Sequence, residues 1–146
     1  MPIANYSTSV PATKTVGEIQ VLLATAGARS IMMDFDDDHR VSAVSFIAQT
    51  KHGDLSFRLP ADVNAVLAVM EAEGLQNRFC TQEHAERVAW RILKDWVRAQ
   101  MALIEVEMVT LEEVFLPYML ANDGKHTLYE VMVEKGFYLP EGRGEK

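Results

Sequence analysis

Cysteine is almost absent from this 146-residue chain, which contains Cys80 alone. A single cysteine cannot form an intrachain disulfide, and such scarcity is typical of proteins kept in a reducing compartment. The chain also has no run of eighteen apolar residues, and its first residues contain no hydrophobic signal segment. These absences predict a cytosolic protein with no membrane partner. We expect Cys80 to be a partly buried, unreactive thiol, because no base accompanies it.

Positive charge is scarce as well. The chain has 14 lysines and arginines against 21 aspartates and glutamates, which gives a formal net charge of -7. Proteins that bind duplex DNA draw most of their affinity from cations that displace counterions from phosphate, so they present a broadly basic surface. This composition excludes such a surface. Any contact with nucleic acid must therefore be local.

Motifs for catalysis and metal binding are missing too. The chain has neither a phosphate-binding glycine loop nor a GxSxG nucleophile elbow. Its four histidines lack the spacing of a zinc site, and the aspartates within residues 34–38 lack the calcium-loop pattern. That acidic stretch is typical of a solvated hairpin turn. We therefore predict a protein that is not an enzyme, with no catalytic residue, no metal and no cofactor.

What is present predicts one folded domain. Apolar residues make up 49% of the chain and charged residues 24%, as in ordinary globular proteins of this size. Residues 1–13 are rich in Ser, Thr and Pro and predict an N-terminal arm. Residues 14–139 form the predicted single α+β domain. Residues 140–146 have no apolar side chain to anchor them, which predicts a flexible tail.

Helix starts are marked by three threonine and glutamate pairs with capping-box spacing. The pairs are Thr15 with Glu18, Thr110 with Glu113, and Thr127 with Glu130. In a capping box, the hydroxyl and the carboxylate satisfy backbone amides that the first helical turn leaves unpaired. The boxes predict helices over residues 16–26, from residue 111 onward and over residues 128–135.

Strand patterns occupy the region after the first predicted helix. Apolar and polar residues alternate over residues 31–35 and 55–59, and the β-rich segment 41–50 lies between two turn sequences. Further helices are predicted from Val63 onward and over residues 82–108. The predicted fold class is therefore α+β: a three-stranded antiparallel meander with helices on one face, followed by a long helix and short C-terminal helices.

The predicted long helix carries two unusual faces. At 100° per residue, four cations fall within about 60° of one another, and a row of apolar residues borders them. The cations are Arg87, Arg91, Lys94 and Arg98, and the bordering apolar seam consists of Trp90, Val97, Met101, Ile104 and Met108. Trp96 belongs to a different apolar face, which we expect to pack on the core.

Three interpretations of these faces remain open. In the simplest, the cations form a solvated helix surface with ordinary i,i+4 ion pairs, such as Glu83 with Arg87. In the second, they follow the phosphates of single-stranded nucleic acid while Trp90 stacks on a base, helped by Arg58 on the open face of the sheet. In the third, the seam closes a homo-oligomer or binds another protein, with arginines at its rim.

The order helix, three strands, helix resembles the double-stranded-RNA-binding domain. That family places lysines at the start of the helix after the third strand. Here the corresponding segment is PADVN, residues 60–64, whose aspartate repels phosphate. The likeness therefore concerns topology alone.

A second likeness extends over most of the chain. The segments FRLPADVNAVLAVM (Phe57 to Met70), AERVAWRILKDWVRAQMALIE (Ala85 to Glu105) and EEVFLPYML (Glu112 to Leu120) follow an opening IANYSTSV. Together they resemble a family of small accessory proteins of bacteriophages, prophages and other mobile elements. The resemblance brings no established activity and no catalytic residues. It implies an accessory protein in the host-cell cytosol, where DNA transactions and interference with host defences are common tasks.

The functional prediction combines these features. We expect a non-enzymatic phage-type accessory protein that binds single-stranded nucleic acid, or acts in phage DNA metabolism, through the helix that carries Arg87 and Trp90. The alternative is a protein-binding module, either a homo-oligomer or an inhibitor of a host replication or defence protein. Binding to nucleic acid would weaken steeply with salt, whereas binding through the apolar seam would not.

Overall fold

The computed structural model describes residues 2–137, so the predicted tail at 140–146 lies outside the described residues. The elements are α1 (Ala12–Thr25), β1 (Ala28–Phe35), β2 (Val41–Thr50), β3 (Gly53–Pro60), α2 (Val63–Ala72), α3 (Gln82–Glu105), α4 (Leu111–Val114) and α5 (Leu128–Lys135). Single 3-10 turns lie at Asn77–Phe79 and Leu116–Tyr118. The predicted α+β fold is confirmed. None of the helices in the described part of the chain is both long and apolar enough to cross a membrane.

The sheet is the predicted antiparallel meander, with strand order β1-β2-β3. Ile31 pairs with Phe46, which pairs with Phe57. Residues directly opposite each other in an antiparallel pair point to the same face, so this row lies on one side of the sheet and the neighbouring rows on the other. The strand β1 is regular in its middle, with irregularities between Ala28 and Ser30 and between Asp34 and Phe35.

Helices α1 and α3 cover one face of the sheet. The rings of Phe46 and Phe57 stack beneath them with their centroids 5.1 Å apart, and Phe115 approaches Phe46 edge-on at 5.6 Å. From α1, Ile19 and Leu23 are fully buried. Burying each such side chain stabilises the fold by roughly 1.5–3 kcal/mol. The opposite face of the sheet carries no helix layer in the described residues.

The first helix begins earlier than its predicted capping box. Pro11 precedes the first helical residue, and Thr15 lies inside the helix, fully buried, with its hydroxyl directed to the Pro11 carbonyl. The predicted start at Val16 is therefore wrong, because Thr15 faces α3 instead of capping α1. The capping boxes at Thr110 and Thr127 are confirmed in full.

The segment that precedes α1 packs against the rest of the chain. The Ile3 amide donates to a Glu73 carboxylate oxygen at 2.9 Å, and the Asn5 side chain donates to Asp95 at 3.0 Å. The Tyr6 carbonyl hydrogen-bonds with the buried ring of His84. The predicted arm is thus docked on α2 and α3.

The long helix α3 starts where the sequence predicted, with the Thr81 hydroxyl accepting from the His84 amide at 3.1 Å. It ends at Glu105, three residues before the predicted end at Met108. The chain then turns sharply, since Glu107 adopts a positive φ of 62°. The residues beyond Glu105 therefore do not continue the helical seam.

Candidate interaction surface

Trp90 is the residue on which the nucleic-acid prediction depended, and it is 0% exposed. Its indole Nε1 donates to the Val41 carbonyl oxygen at 3.2 Å. One turn earlier on α3, the Glu86 carboxylate accepts from the Val41 amide at 3.1 Å. The two side chains together hold both backbone groups of Val41 at the start of β2. The prediction that Trp90 offers its ring to a base or a partner is wrong.

Glu86 is buried with Trp90. Burial raises the pKa of this carboxyl above its ordinary value, although the Val41 amide and the Arg40 guanidinium partly oppose the rise. The nearest Arg40 nitrogen lies 4.0 Å from the carboxylate. This acidic group serves the fold, because it fills a hydrogen-bonding need of the β2 backbone.

Two cations of α3, Arg91 and Lys94, face α1 instead of solvent. Arg91 donates to the Glu18 carboxylate at 2.9 Å and to the Thr15 hydroxyl at 3.2 Å, and Lys94 lies 3.6 Å from the same carboxylate. Burial would raise the pKa of Glu18, but hydrogen bonds from Arg91 and Lys14 outweigh it and leave that pKa below its ordinary value. The middle of the predicted stripe therefore forms a contact between two helices.

The other predicted cations occupy separate positions. Arg87 lies 3.8 Å from Glu83 and 3.2 Å from a ring nitrogen of His84, and its buried Nε atom has no hydrogen-bond partner among the described residues. Arg58 lies on the open face of the sheet, 3.5 Å from Asp34. Within residues 2–137, Arg98 is exposed and forms no ion pair. Arg98 lines a groove of about 370 Å³ together with Arg91 and Lys94, whereas Arg87 and Arg58 are not part of that groove.

The apolar seam is largely covered within the chain. Val97 is fully buried, Met101 and Ile104 are partly buried against the main core, and Met108 is exposed beyond the helix. Helix α3 carries two apolar faces because it packs on two layers. One face contacts α2, and the other, which includes Trp90, contacts the sheet. The prediction that this seam is free to receive a partner is wrong for all but Met108.

The two edges of the sheet are completed differently. Along β3, the Leu120 amide donates to the Ser56 carbonyl at 2.8 Å, and Met119 forms a bridge with Phe57. Along β1, no backbone hydrogen bond to the outer edge exists in the described part of the chain. The exposed row of amides and carbonyls on β1 is therefore able to pair with another strand.

Large apolar side chains lie along this free edge. Met32 is 63% exposed on the open face, Phe35 is 57% exposed, and Met33 is also exposed. The alternating pattern assigned Met32 to a polar position of the strand, so the prediction missed this surface. The signal was the adjacent pair Met32 and Met33, since a strand that is apolar on both faces needs cover on both.

Two grooves flank the free edge. On the open face, a groove of about 520 Å³ is lined by β1, β2 and β3 and by the loop near Lys125. On the helix side, a groove of about 420 Å³ lies between α1 and β1, with Val21 and Ile31 in its walls. Val21 is 66% exposed. We call the outer edge of β1 together with this α1 flank the β1 surface.

Residues that could hold a metal are not grouped: no cluster of three His, Cys, Asp or Glu side chains with that geometry lies among the described residues. The single thiol, Cys80, is partly buried and directed at the Leu75 carbonyl.

Comparisons with protein-family models, curated proteins and solved structures find no match for this chain. The resemblance to accessory proteins of phages and other mobile elements therefore stays a prediction.

Proposed function

We propose that the chain is a non-enzymatic protein-binding module whose β1 surface accepts a β-strand from a protein partner. The observation that carries the proposal is the outer edge of β1, which is unpaired within residues 2–137 and has Met32 and Phe35 exposed along it. Strand addition to a free edge supplies affinity through main-chain hydrogen bonds, and side chains on alternate positions supply specificity.

The other predicted partner, single-stranded nucleic acid, has less support. Binding of that kind combines a stacking aromatic ring with a groove of cations. Trp90 is fully buried, and Arg91 and Lys94 are engaged by Glu18. Arg58 is paired with Asp34, which leaves Arg98 as the exposed member of the predicted set within residues 2–137. A labelled oligonucleotide is thus expected to bind no tighter than about micromolar even at low salt.

A peptide titration tests the proposed function. The probe is a fluorescein-labelled synthetic peptide that spans residues 27–36, a strand that can pair with an edge of its own kind. We expect saturable binding measured by fluorescence anisotropy. Met32→Lys is expected to weaken it at least tenfold, because a charge is placed in the apolar centre of the edge.

The matched control is Met108→Lys. Met108 is as exposed as Met32 but lies beyond the end of α3 and is not part of the β1 surface. This variant is expected to bind the peptide like the wild type, and a scrambled peptide is expected to bind neither. Equal loss with both lysine variants, or tight binding of an oligonucleotide that Arg98→Ala abolishes, would contradict the proposal.

A further inference from the structure

The charged residues of β1 lie at its two ends and are bonded across the sheet. Arg29 donates to Asp54 of β3 at 2.7 Å, and Asp34 accepts from Arg58 of β3 at 3.5 Å. Both pairs reach over β2, which places Gln49 or Ala43 beneath them. One end of β1 therefore carries a cation and the other an anion, with the apolar segment Ile31–Met33 between them.

The open face holds both of these ion pairs. Met32 pairs with Ser45, which pairs with Arg58, and Asp34 follows Met32 by two residues on the same face. Asp54 pairs with Gln49, two residues after Ile47 on that face. Arg29 reaches Asp54 from the irregularity at the start of β1.

We propose that the strand accepted by the β1 surface is β1 of a second copy of this chain, paired antiparallel about a two-fold axis at Met32. This inference rests on the proposed function and names its partner. A two-fold axis perpendicular to the sheet keeps each face continuous across the new contact. Met32 then lies opposite Met32 of the second copy, and Ile31 lies opposite Met33 of the second copy.

Charge complementarity and the regular span of β1 together favour this register. Ser30 lies opposite Asp34 of the second copy, and the neighbouring Arg29 comes within reach of that carboxylate. Each end of the joined sheet then carries charges that alternate across the strands. The order is Asp54, Arg29, Asp34 of the second copy and Arg58 of the second copy. Opposite charges on neighbouring strands stabilise a pairing, whereas like charges oppose it.

Neighbouring registers fit β1 less well. An axis at Met33 sets Asp34 opposite Met32 of the second copy, three residues from Arg29, and so moves the carboxylate away from the guanidinium. An axis at Ile31 sets Asp34 opposite Ala28 of the second copy, so the pairing runs into the irregularity between Ala28 and Ser30. The regular part of β1, between its two irregularities, is also centred on Met32.

The side of α1 that lines the groove can approach the same side of α1 in a second copy of the chain. Gly17, Val21 and Ala24 line the groove beside β1, one or two turns apart on α1. A Cβ added at Gly17 would meet no atom within 4 Å, so the glycine fills no need of the single chain there. A glycine inside a helix costs about 1 kcal/mol relative to alanine. Close packing of α1 from the second copy across the two-fold axis explains why a glycine lies at position 17.

A charge-swap experiment tests the register. Arg29→Asp places two carboxylates together at the interface, and Asp34→Arg places two cations together, so each variant is expected to associate at least tenfold more weakly than wild type. In an equimolar mixture the two variants restore both opposite-charge contacts. Sedimentation velocity is expected to show a heterodimer at concentrations where each variant alone is monomeric.

The mixture separates association from folding. Each variant also alters an ion pair within its own chain, but no change inside one chain is repaired by adding another. Circular dichroism of each variant verifies the fold before mixing. If the mixture stays monomeric while the wild type dimerises, the Met32 register is wrong. A weak interface still forms at about 100 µM. If the wild type is monomeric at that concentration, the proposal that the partner is a second copy is overturned.

Cross-linking gives a second test. In a Cys80→Ser background, Met32→Cys places two thiols at the two-fold axis, where opposite Cα atoms lie about 4.5–5.5 Å apart, within the range of a disulfide. We expect rapid formation of a disulfide dimer under mild oxidation. Met108→Cys is the equally exposed control, and Ile31→Cys and Met33→Cys are its register controls. Cross-linking of Met32→Cys no faster than these overturns the register.

The failures of the two proposals are distinguishable. If the peptide of residues 27–36 binds at the β1 surface but the full chain stays monomeric, the strand-accepting function stands and the second copy falls. If the chain dimerises and neither charge mixing nor Met32→Cys behaves as expected, the register falls. If the peptide does not bind and the chain does not associate, both proposals fall together.

Discussion

The two edges of the sheet differ in how the chain completes them. At the β3 edge, the C-terminal segment returns so that the Leu120 amide reaches the Ser56 carbonyl and Met119 bridges to Phe57. At the β1 edge, the described chain provides no such return, and Met32 and Phe35 remain exposed. An unpaired apolar edge is a liability that folded proteins normally cover, charge or shorten. The contrast is the basis of our proposal that the β3 edge serves the fold and that the β1 edge accepts a partner.

The largest loss of stability is expected at Trp90, because its contact with β2 supports the strands at both edges of the sheet. Trp90→Ala removes a fully buried ring and leaves the Val41 carbonyl without its donor, so β2 loses its anchor. We expect a destabilisation of about 3–5 kcal/mol, measured by urea unfolding. Hydrogen exchange should rise equally in β1 and β3. A rise confined to one edge would show that β2 is not their common support.

A smaller effect is expected from opening the β3 edge alone. Leu120→Pro removes the amide that donates to Ser56, at a cost of about 1–3 kcal/mol. The matched control, Leu120→Ala, shortens the side chain but keeps the donor. The proline variant is expected to create a second free edge and to associate beyond a dimer, as light scattering would measure. Identical behaviour of the two variants would mean that the backbone bond does not protect this edge.

A still smaller loss of stability is expected from removing the cap of α4, the helix before the segment that pairs with β3. The Thr110 hydroxyl caps α4, just before the segment that returns to β3. Thr110→Ala is expected to cost about 1 kcal/mol in thermal unfolding, because the Glu113 amide loses its acceptor. Thr110→Ser keeps the hydroxyl and should lie close to wild type. If hydrogen exchange near Leu120 is unchanged in the alanine variant, the cap of α4 does not support the β3 edge.

The same cap predicts a dependence on pH. The Thr110 amide and hydroxyl hold the pKa of Glu113 below its ordinary value. A lowered carboxyl pKa favours the folded state above the ordinary glutamate pKa, and this contribution is lost as the pH falls through the lowered value. We expect thermal stability to decline over that acidic range by less in Glu113→Gln than in wild type. If thermal stability falls with pH in the same way in Glu113→Gln and in wild type, the lowered pKa of Glu113 does not contribute to stability.

The smallest effect on folding is expected at the β1 edge. Met32→Lys changes an exposed side chain that no other part of the described chain covers, so monomer stability should shift by no more than about 0.5 kcal/mol. Binding through the β1 surface should nevertheless be lost. Chemical denaturation beside the peptide titration measures both. A large loss of stability would mean that Met32 belongs to the fold.

Much of the fold could be predicted because its signals are local. The capping boxes at Thr110 and Thr127, the start of α3 after Thr81, and the meander all depend on residues a few positions apart. Thr15 had the same local pattern but a different use, since its buried side chain faces Arg91 of α3. The pattern could not reveal that contact, which joins residues far apart in the sequence.

The candidate site was harder to predict for the same reason. The angular positions of Arg91 and Trp90 on α3 follow from helix geometry, but what each faces does not. The Trp90 bond to Val41 spans 49 residues, and the Arg91 bond to Glu18 spans 73. A helix with two apolar faces and a cationic one can be oriented in several ways by its pattern alone.

The sequence by itself determined the α+β class, the places where most helices and strands begin, and the lack of a broadly basic surface, because each depends on composition or short-range spacing. The tertiary structure alone decided that Trp90 is buried, that Glu18 engages Arg91 and Lys94 of α3, and that β1 keeps a free edge in the described part of the chain. These outcomes depend on which layers pack together. Burial and hydrogen bonding between distant segments, which local spacing does not encode, determine that packing.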